Sequence, residues 1–329
     1  MLELSHKFAS RELQNNVVPG AVPRYQLLDP FNLKPEDVKL PYPFFVKPVK
    51  ASASVRAGVV HNFTELQQAL HFSKIEEFGF SAIMRPFEQL SKTFGGPTVP
   101  ARDFIAEELI VGPQVTVDGY VSKKGVTVLG VVDSIMYPGT NSFARFQYPS
   151  ALRPDVVARM EKTAKDIMEA SGLQSNIFNI EMFYDPILDR VFIIEINPRM
   201  SEQFADLYEK ALGTNLYSIQ TALALGEEPV LSPGGGKYGV SASYVLRTFP
   251  GQQLSGSVTQ QKLDAMRAKY PDVRLNVTPT GWRHVLNLSL NDRDSVKLGT
   301  INIGADDQAG LEKKYEDIKR DLGIAITNR

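Results

Sequence analysis

The chain has 329 residues, 43% hydrophobic and 22% charged, an ordinary globular composition long enough to bury a sizeable core in two or three lobes. Lys and Arg total 36 against 37 Asp and Glu, a formal net charge of -1, so no basic bias argues for nucleic acid and no charge block for a membrane surface. The absence of cysteine excludes disulfides, thiolate metal sites and cysteine nucleophiles.

The first residues, MLELSHKFASRELQNN, lack the apolar stretch of a signal peptide, and no run approaches the about 18 apolar residues of a membrane span. A cytoplasmic protein is expected. Residues 5–16 predict a short helix with Ser5 at its N-cap. A turn follows over Val17–Pro23, a strand over Arg24–Leu28 and a polar loop over Lys34–Val38. Tyr42–Lys50 (YPFFVKPVK) reads as a buried strand. Its Lys47 follows Phe44, Phe45 and Val46, an expensive place for an ammonium unless it reaches an anion or snorkels from the strand end. Ala51–Gly58 (ASASVRAG) is a small, hydroxyl-bearing turn. Its backbone N–H groups suit phosphates, although many plain turns look the same.

Val59 and Val60 return as a strand, and Asn62 or Thr64 caps a helix over Glu65–Ser73. Residues 85–103, rich in Gly, Pro and polar side chains, predict a long flexible loop. Phe104–Ile110 (FIAEELI) reads as a strand carrying two acids, broken by Val111-Gly112-Pro113. Gln114–Val121 alternates as the next strand, with Gly125–Ser134 as its partner, and 135–152 reads as irregular, with Arg145 and Tyr148 as candidate substrate contacts. Helical periodicity through Val156, Met160, Ala164 and Ile167 stops at Gly172.

Phe178–Arg199 (FNIEMFYDPILDRVFIIEINPR) predicts a β-hairpin turning at Asp185, Pro186, Asp189 and Arg190. Glu195 and Asn197 project from one face of the second strand, and pairing brings Glu181 beside them. Two carboxylates and an amide oxygen suit a hard cation such as Mg²⁺ completed by phosphate oxygens; a half-exposed hairpin with solvated carboxylates is the equal alternative from this stretch alone. Helices follow over Ser201–Leu212 and Leu216–Leu225, and Leu231–Lys237 (LSPGGGK) marks a boundary. Beyond it, strands over Tyr238–Leu246, Leu254–Val258, Val285–Leu290 and Ser295–Ile303, with helices near 259–269 and 307–321, predict a small α+β lobe. His61, His71 and His284 show no metal spacing, and Trp282, Arg283 and His284 read as a packing cluster.

In this order, an early lysine, a strand lysine, a small-residue loop, an acidic hinge strand and a Glu…Glu-x-Asn hairpin, the chain resembles the ATP-grasp superfamily over roughly residues 5–226. The hairpin ending EINPR and the hinge EELIVGPQVTVDG carry most of the likeness. The resemblance implies an α+β fold. Two α/β lobes gripping ATP would occupy residues 1–230, split at about 1–106 and 107–230, with a small α+β domain over 237–329. It implies ATP contacts at Lys7, Lys47, Ser52, Ser54, Glu107, Glu108, Ile110 and Gln114, with the backbone of Glu108 and Ile110 serving the adenine edge. It implies a metal held by Glu181, Glu195 and Asn197, Mg²⁺ with Mn²⁺ as an alternative, and catalytic roles for Lys47 and Arg199. His6 stands where the family has Asp, Gln114 where many relatives have Glu, and the loop is poorer in glycine.

The implied activity is ATP-dependent carboxylate–amine ligation: a carboxylate becomes an acyl phosphate and an amine displaces phosphate. The partners would be small-molecule carboxylates and amines. The hinge and C-terminal lobe look closer to amino-acid ligases than to biotin carboxylase. A nucleotide-binding regulatory or catalytically idle module, or a phosphotransferase on the same fold, is the alternative. The domain that family members usually carry before the Lys7 helix has no counterpart here. A natural short form, a homodimer mate or partner supplying it, or a truncated chain each explains that.

Overall fold

The first helix forms where the sequence places it, but another residue starts it. In the computed structural model, which describes residues 1–51, 56–232, 234–279 and 295–328, α1 spans Lys7–Val17. His6 Nδ1 accepts from the Ala9 N–H at 3.3 Å, satisfying one of the orphan donors of the first turn. Ser5, the expected cap, donates its hydroxyl to the Met1 carbonyl at 3.1 Å instead.

The described residues fall into two units. The first comprises Met1–Gly112, Gly119–Leu129 and Pro154–Arg199. Its antiparallel sheet runs in the order β1 (Tyr25–Leu28), β4 (Phe104–Glu108), β2 (Phe44–Pro48), β3 (Gly58–Val60). Alternation sends Leu28, Phe44, Val46, Phe104 and Ala106 to one face, where they bury against Leu66 and Leu70 of α2 (Phe63–Leu70). Asn62 caps α2 by accepting from Glu65 N–H at 2.9 Å.

The loop expected over 85–103 is in large part helix: α3 spans Lys74–Phe94, and only 95–103 is loop. Ser73 and Glu76 cap its start reciprocally, at 2.9 and 3.3 Å, and Gly95 ends it at φ 68. Pro86 lies within the helix and removes one donor without ending it.

The expected hairpin consists of β8 (Asn176–Asp185) and β9 (Arg190–Asn197). Asp185 closes its turn by accepting from Ile187 and Leu188 N–H at 2.8 and 3.0 Å. The hairpin lies in the same unit as α4 (Pro154–Ala170), whose buried face is Val156, Met160, Ala164, Ile167 and Met168. Gly112 sits at φ 144, and a Cβ there would lie 2.0 Å from the Tyr184 carbonyl oxygen, so only glycine lets the chain leave β4 this close to the hairpin.

The second unit comprises Pro113–Asp118, Gly130–Arg153 and Met200–Arg329. Strands β5 (Gln114–Ser122) and β6 (Gly125–Met136) contribute residues to both units. The stretch read as irregular contains β7 (Phe143–Tyr148), paired with the end of β6 and with β10 (Val240–Thr248). Next come β13 (Val296–Ala305) and β12 (Arg274–Val277), the latter a four-residue strand not foreseen. Helices α5 (Glu202–Ala211) and α6 (Leu216–Ala224) match expectation, as do α7 (Gln260–Lys269) and α8 (Gln308–Leu322). Tyr244, Leu246, Ile301 and Ile303 pack with Leu263, Leu311 and Ile318 in this unit's core. The strand expected at Leu254–Val258 is β11 (Gln252–Ser255), paired with β14 (Ala325–Asn328). Trp282, Arg283, His284 and the strand expected over Val285–Leu290 lie outside the described residues. No helix among the described residues is long and apolar enough to cross a membrane.

Candidate functional site

The candidate residues of the first unit gather where α1, the back of the four-stranded sheet and β9 meet. The sheet face opposite the core carries Lys47 from β2 and Glu107 from β4, both buried, with Nζ and Oε2 2.7 Å apart. Arg11, on α1, is 2% exposed and donates Nε to Glu107 Oε1 at 2.6 Å. Burial alone pushes the Glu107 carboxyl up, but the Arg11 and Lys47 charges overcome it and hold the group at about 2. Lys47 thus meets an anion; it does not snorkel.

β9 contains a bulge. Glu181 stands opposite Glu195 and Asn179 opposite Asn197, but Met182 faces Ile193, leaving Ile194 without a register partner. The Ile194 carbonyl accepts from Arg11 Nη2 at 2.7 Å and from Lys47 Nζ at 3.4 Å. The bulge therefore sets Glu195 directly across from Glu181. Asn197 Nδ2 lies 3.5 Å from Glu181 Oε1, and Arg199 Nη2 lies 3.2 Å from Asn197 Oδ1. Lys7 Nζ reaches Glu195 Oε1 at 3.1 Å and the Ala51 carbonyl at 2.7 Å. Burial and the neighbouring Glu195 push the Glu181 carboxyl up to about 7, the strain of two carboxylates facing one another that a bound cation relieves. Two carboxylates and an amide are a donor set that fits Mg²⁺ if phosphate oxygens and water complete it. Among the described residues no group of three or more His, Cys, Asp or Glu could hold a metal unaided.

The remaining expected residues are placed as follows. Glu108 alternates away from Glu107, and its carboxylate takes Arg24 N at 2.8 Å and Arg24 Nε at 2.7 Å. Glu108 and Ile110 line a cleft of about 250 Å³ together with Val22, Leu109, Leu188 and Phe192. Gln114 is buried at the start of β5, in the second unit. Arg145 and Tyr148 also belong to the second unit, beside Tyr244 and Tyr208 respectively. Ser52 and Ser54 lie outside the described residues. Sequence reasoning missed Arg11; its one signal is a position one turn after Lys7 on the same helix face. It also passed over Lys50, whose ammonium donates to the Ser5 carbonyl at 3.0 Å and sits 4.8 Å over the Phe87 ring.

Comparison with known proteins gives this geometry a family. The profile of the ATP-grasp domain matches residues 40–207. The carbamoyl phosphate synthase large chain of Thermotoga neapolitana is 30% identical over 195 residues, 52% of this chain but only 17% of that protein's length. The L-amino acid ligase of Bacillus licheniformis superposes with a TM-score of 0.63 at 15% identity, over 99% of this chain and 73% of that one. The biotin carboxylase domain of 2-oxoglutarate carboxylase from Hydrogenobacter thermophilus, solved with MgADP, ADP and bicarbonate, superposes with a TM-score of 0.60 at 16% identity, over 99% and 67%. The chain belongs to the ATP-grasp family and has its fold.

Proposed function

We propose that the protein is an ATP-dependent carboxylate–amine ligase that binds Mg-ATP, converts a small-molecule carboxylate to an acyl phosphate, and transfers the acyl group to an amine with release of ADP and phosphate. The observation that carries this reading is the Glu181–Glu195 pair, set opposite one another by the bulge with Asn197 beside them and Lys7 on Glu195. A hairpin of merely solvated carboxylates has no use for that juxtaposition, which costs electrostatic energy until a cation arrives. Family membership and the MgADP-bound relative support it further.

In this reading Glu181, Glu195 and Asn197 would hold Mg²⁺, or Mn²⁺ in its place, which would supply positive charge against the phosphates. Lys7 and Lys47 would turn ammonium donors to the phosphates. The Glu108 and Ile110 backbone would serve the adenine edge as acceptor and donor. Arg199 orients the carboxylate and stabilises the acyl phosphate. We propose the domain division given above as well, with residues 237–329 as the C-terminal domain.

The test is an ADP- and phosphate-release screen with Mg-ATP against panels of carboxylates and amines, with hydroxylamine trapping of the acyl phosphate. Release that requires both substrates, lost in Glu195→Ala, supports the ligase. ADP with a phosphorylated product and no amide identifies a phosphotransferase. No release with any pair, with Mg-ATP still bound, identifies a nucleotide-binding module.

A further inference from the structure

We infer that Arg11 is a positioning residue of the nucleotide site: it fixes Lys47 through their shared carboxylate and fixes the β9 bulge that presents Glu195. The inference rests on the reading of this unit as a Mg-ATP site.

Three observations on separate elements carry it. First, the guanidinium is divided among Glu107 Oε1 at 2.6 Å, the Ile194 carbonyl at 2.7 Å and Gln14 Oε1, while only 2% of the residue is exposed. The three bonds leave from three separate nitrogens, Nε, Nη1 and Nη2, a spread that the single nitrogen of a lysine does not match. Second, Lys47 uses two of the same groups, Glu107 Oε2 at 2.7 Å and the Ile194 carbonyl at 3.4 Å, so the two cations bracket one carboxylate and one carbonyl. Moving Arg11 therefore moves what holds Lys47. Third, the bulge residue Ile194 has no register partner. An unmade hydrogen bond on a half-buried carbonyl still costs stability, and the Arg11 bond stabilises the bulged form over a regular ladder that would shift Glu195 out of register with Glu181. Lys7, one turn earlier on α1, holds Glu195 itself at 3.1 Å, so one helix grips β9 at two consecutive residues.

A plain buried salt bridge would show the same contacts, so the test needs readouts beyond stability. Mg-ATP binding is measured by calorimetry on the full chain, for wild type, Arg11→Met and Arg11→Lys, from about pH 8 down to about pH 5. The charged groups facing Glu107 are Arg11 from α1 and Lys47 from β2; opposite it on β1 stands Tyr25, whose hydroxyl bonds Glu12.

Arg11→Met is expected to weaken Mg-ATP by about ten-fold or more, the value of a charge-assisted hydrogen bond. It should weaken binding further as pH falls, because Glu107 left with Lys47 alone takes up a proton at higher pH. Arg11→Lys should remove that added pH dependence while recovering only part of the affinity, since one ammonium nitrogen cannot take the places of Nε, Nη1 and Nη2. Folded Arg11→Met that binds within about two-fold of wild type at every pH overturns the inference. If Arg11→Met does not fold, Arg11→Lys decides: weakened binding supports the inference and wild-type binding overturns it. Wild-type protein that binds no Mg-ATP overturns the site reading and this inference together, whereas binding unaffected by Arg11 overturns this inference alone.

Discussion

Glu107→Gln is the sharpest single perturbation of the first unit. The wild-type carboxylate takes Arg11 Nε at 2.6 Å and Lys47 Nζ at 2.7 Å, with side-chain exposures of 7% for Glu107, 2% for Arg11 and 6% for Lys47. Glutamine keeps the volume but offers one acceptor and turns an amide donor toward a cation. Two buried positive charges then lose their counter-charge. Removing one partner of a buried pair costs about 3–5 kcal/mol, so the variant should lose that much stability, roughly 6–20 °C in melting temperature. The sign with pH follows from the depressed carboxyl. Its folded value, about 2, lies below the ordinary 4.5, so its stabilisation is complete above 4.5 and lost as pH falls toward 2. Glu107→Gln should lack that acid-side loss. Thermal and guanidinium unfolding of wild type, Glu107→Gln, Arg11→Met and the double variant measures both effects. The cost of Glu107→Gln should shrink by about 1–3 kcal/mol in the Arg11→Met background. A single variant within about 1 kcal/mol of wild type, or costs that add to within about 0.5 kcal/mol, would refute the reasoning.

Three further perturbations test other parts of the first unit. Glu195→Ala and Asn197→Ala should abolish the dependence of nucleotide affinity on Mg²⁺, read by titrating ATP with Mg²⁺ and with EDTA; equal Mg²⁺ enhancement in variant and wild type sinks the metal assignment. His6 is fully buried, and burial, with smaller pushes from the Lys50 and Lys7 charges, outweighs the backbone hydrogen bonds that raise it and holds its imidazole at about 4, below the ordinary 6.5. Between these values the unfolded chain binds a proton that the folded chain refuses. Stability is therefore full above 6.5 and falls toward pH 4, by at most about 3 kcal/mol; His6→Asn, which keeps a capping oxygen, should flatten that part of the wild-type curve in pH-dependent unfolding. Gly112→Ala places a Cβ 2.0 Å from the Tyr184 carbonyl at φ 144 and should destabilise by more than about 1 kcal/mol, and a melting curve matching wild type would show that the close approach is not required.

What the sequence revealed and what it hid differ by distance along the chain. The hairpin, the Phe104–Glu108 strand and α4 announce themselves through local alternation or helical period, and the observed elements agree with those patterns. α3 was hidden because Pro86, Gly95 and Gly96 suggest loop, although the Ser73–Glu76 capping pair marked its start. β7 was hidden because Arg145 and Gln147 interrupt a short run whose pairing comes from β6 and β10. In the site, residue types named the metal and phosphate candidates. The Arg11–Glu107 bond joins residues 96 apart in sequence, and no local pattern encodes it. The cap on α1 is likewise tertiary in character: His6 serves only because burial keeps its ring neutral.

Ile194 acts as a phase shift in β9. Phe192 lies across from Phe183 and Glu195 across from Glu181, so residues three apart share a face where simple alternation separates them. A regular ladder that kept Ile194 would set Glu195 across from Ile180 and turn it to the opposite face from Glu181, whereas deleting Ile194 removes the bulge and leaves Glu195 across from Glu181. Deletion therefore keeps the two carboxylates paired but removes the carbonyl that Arg11 and Lys47 share, so Mg-ATP affinity should fall while its Mg²⁺ dependence stays; wild-type affinity would show that the bulge carbonyl is not needed. One inserted residue thus lets a single strand offer a carboxylate to its hairpin partner and a main-chain carbonyl to the helix and strand lysine beside it.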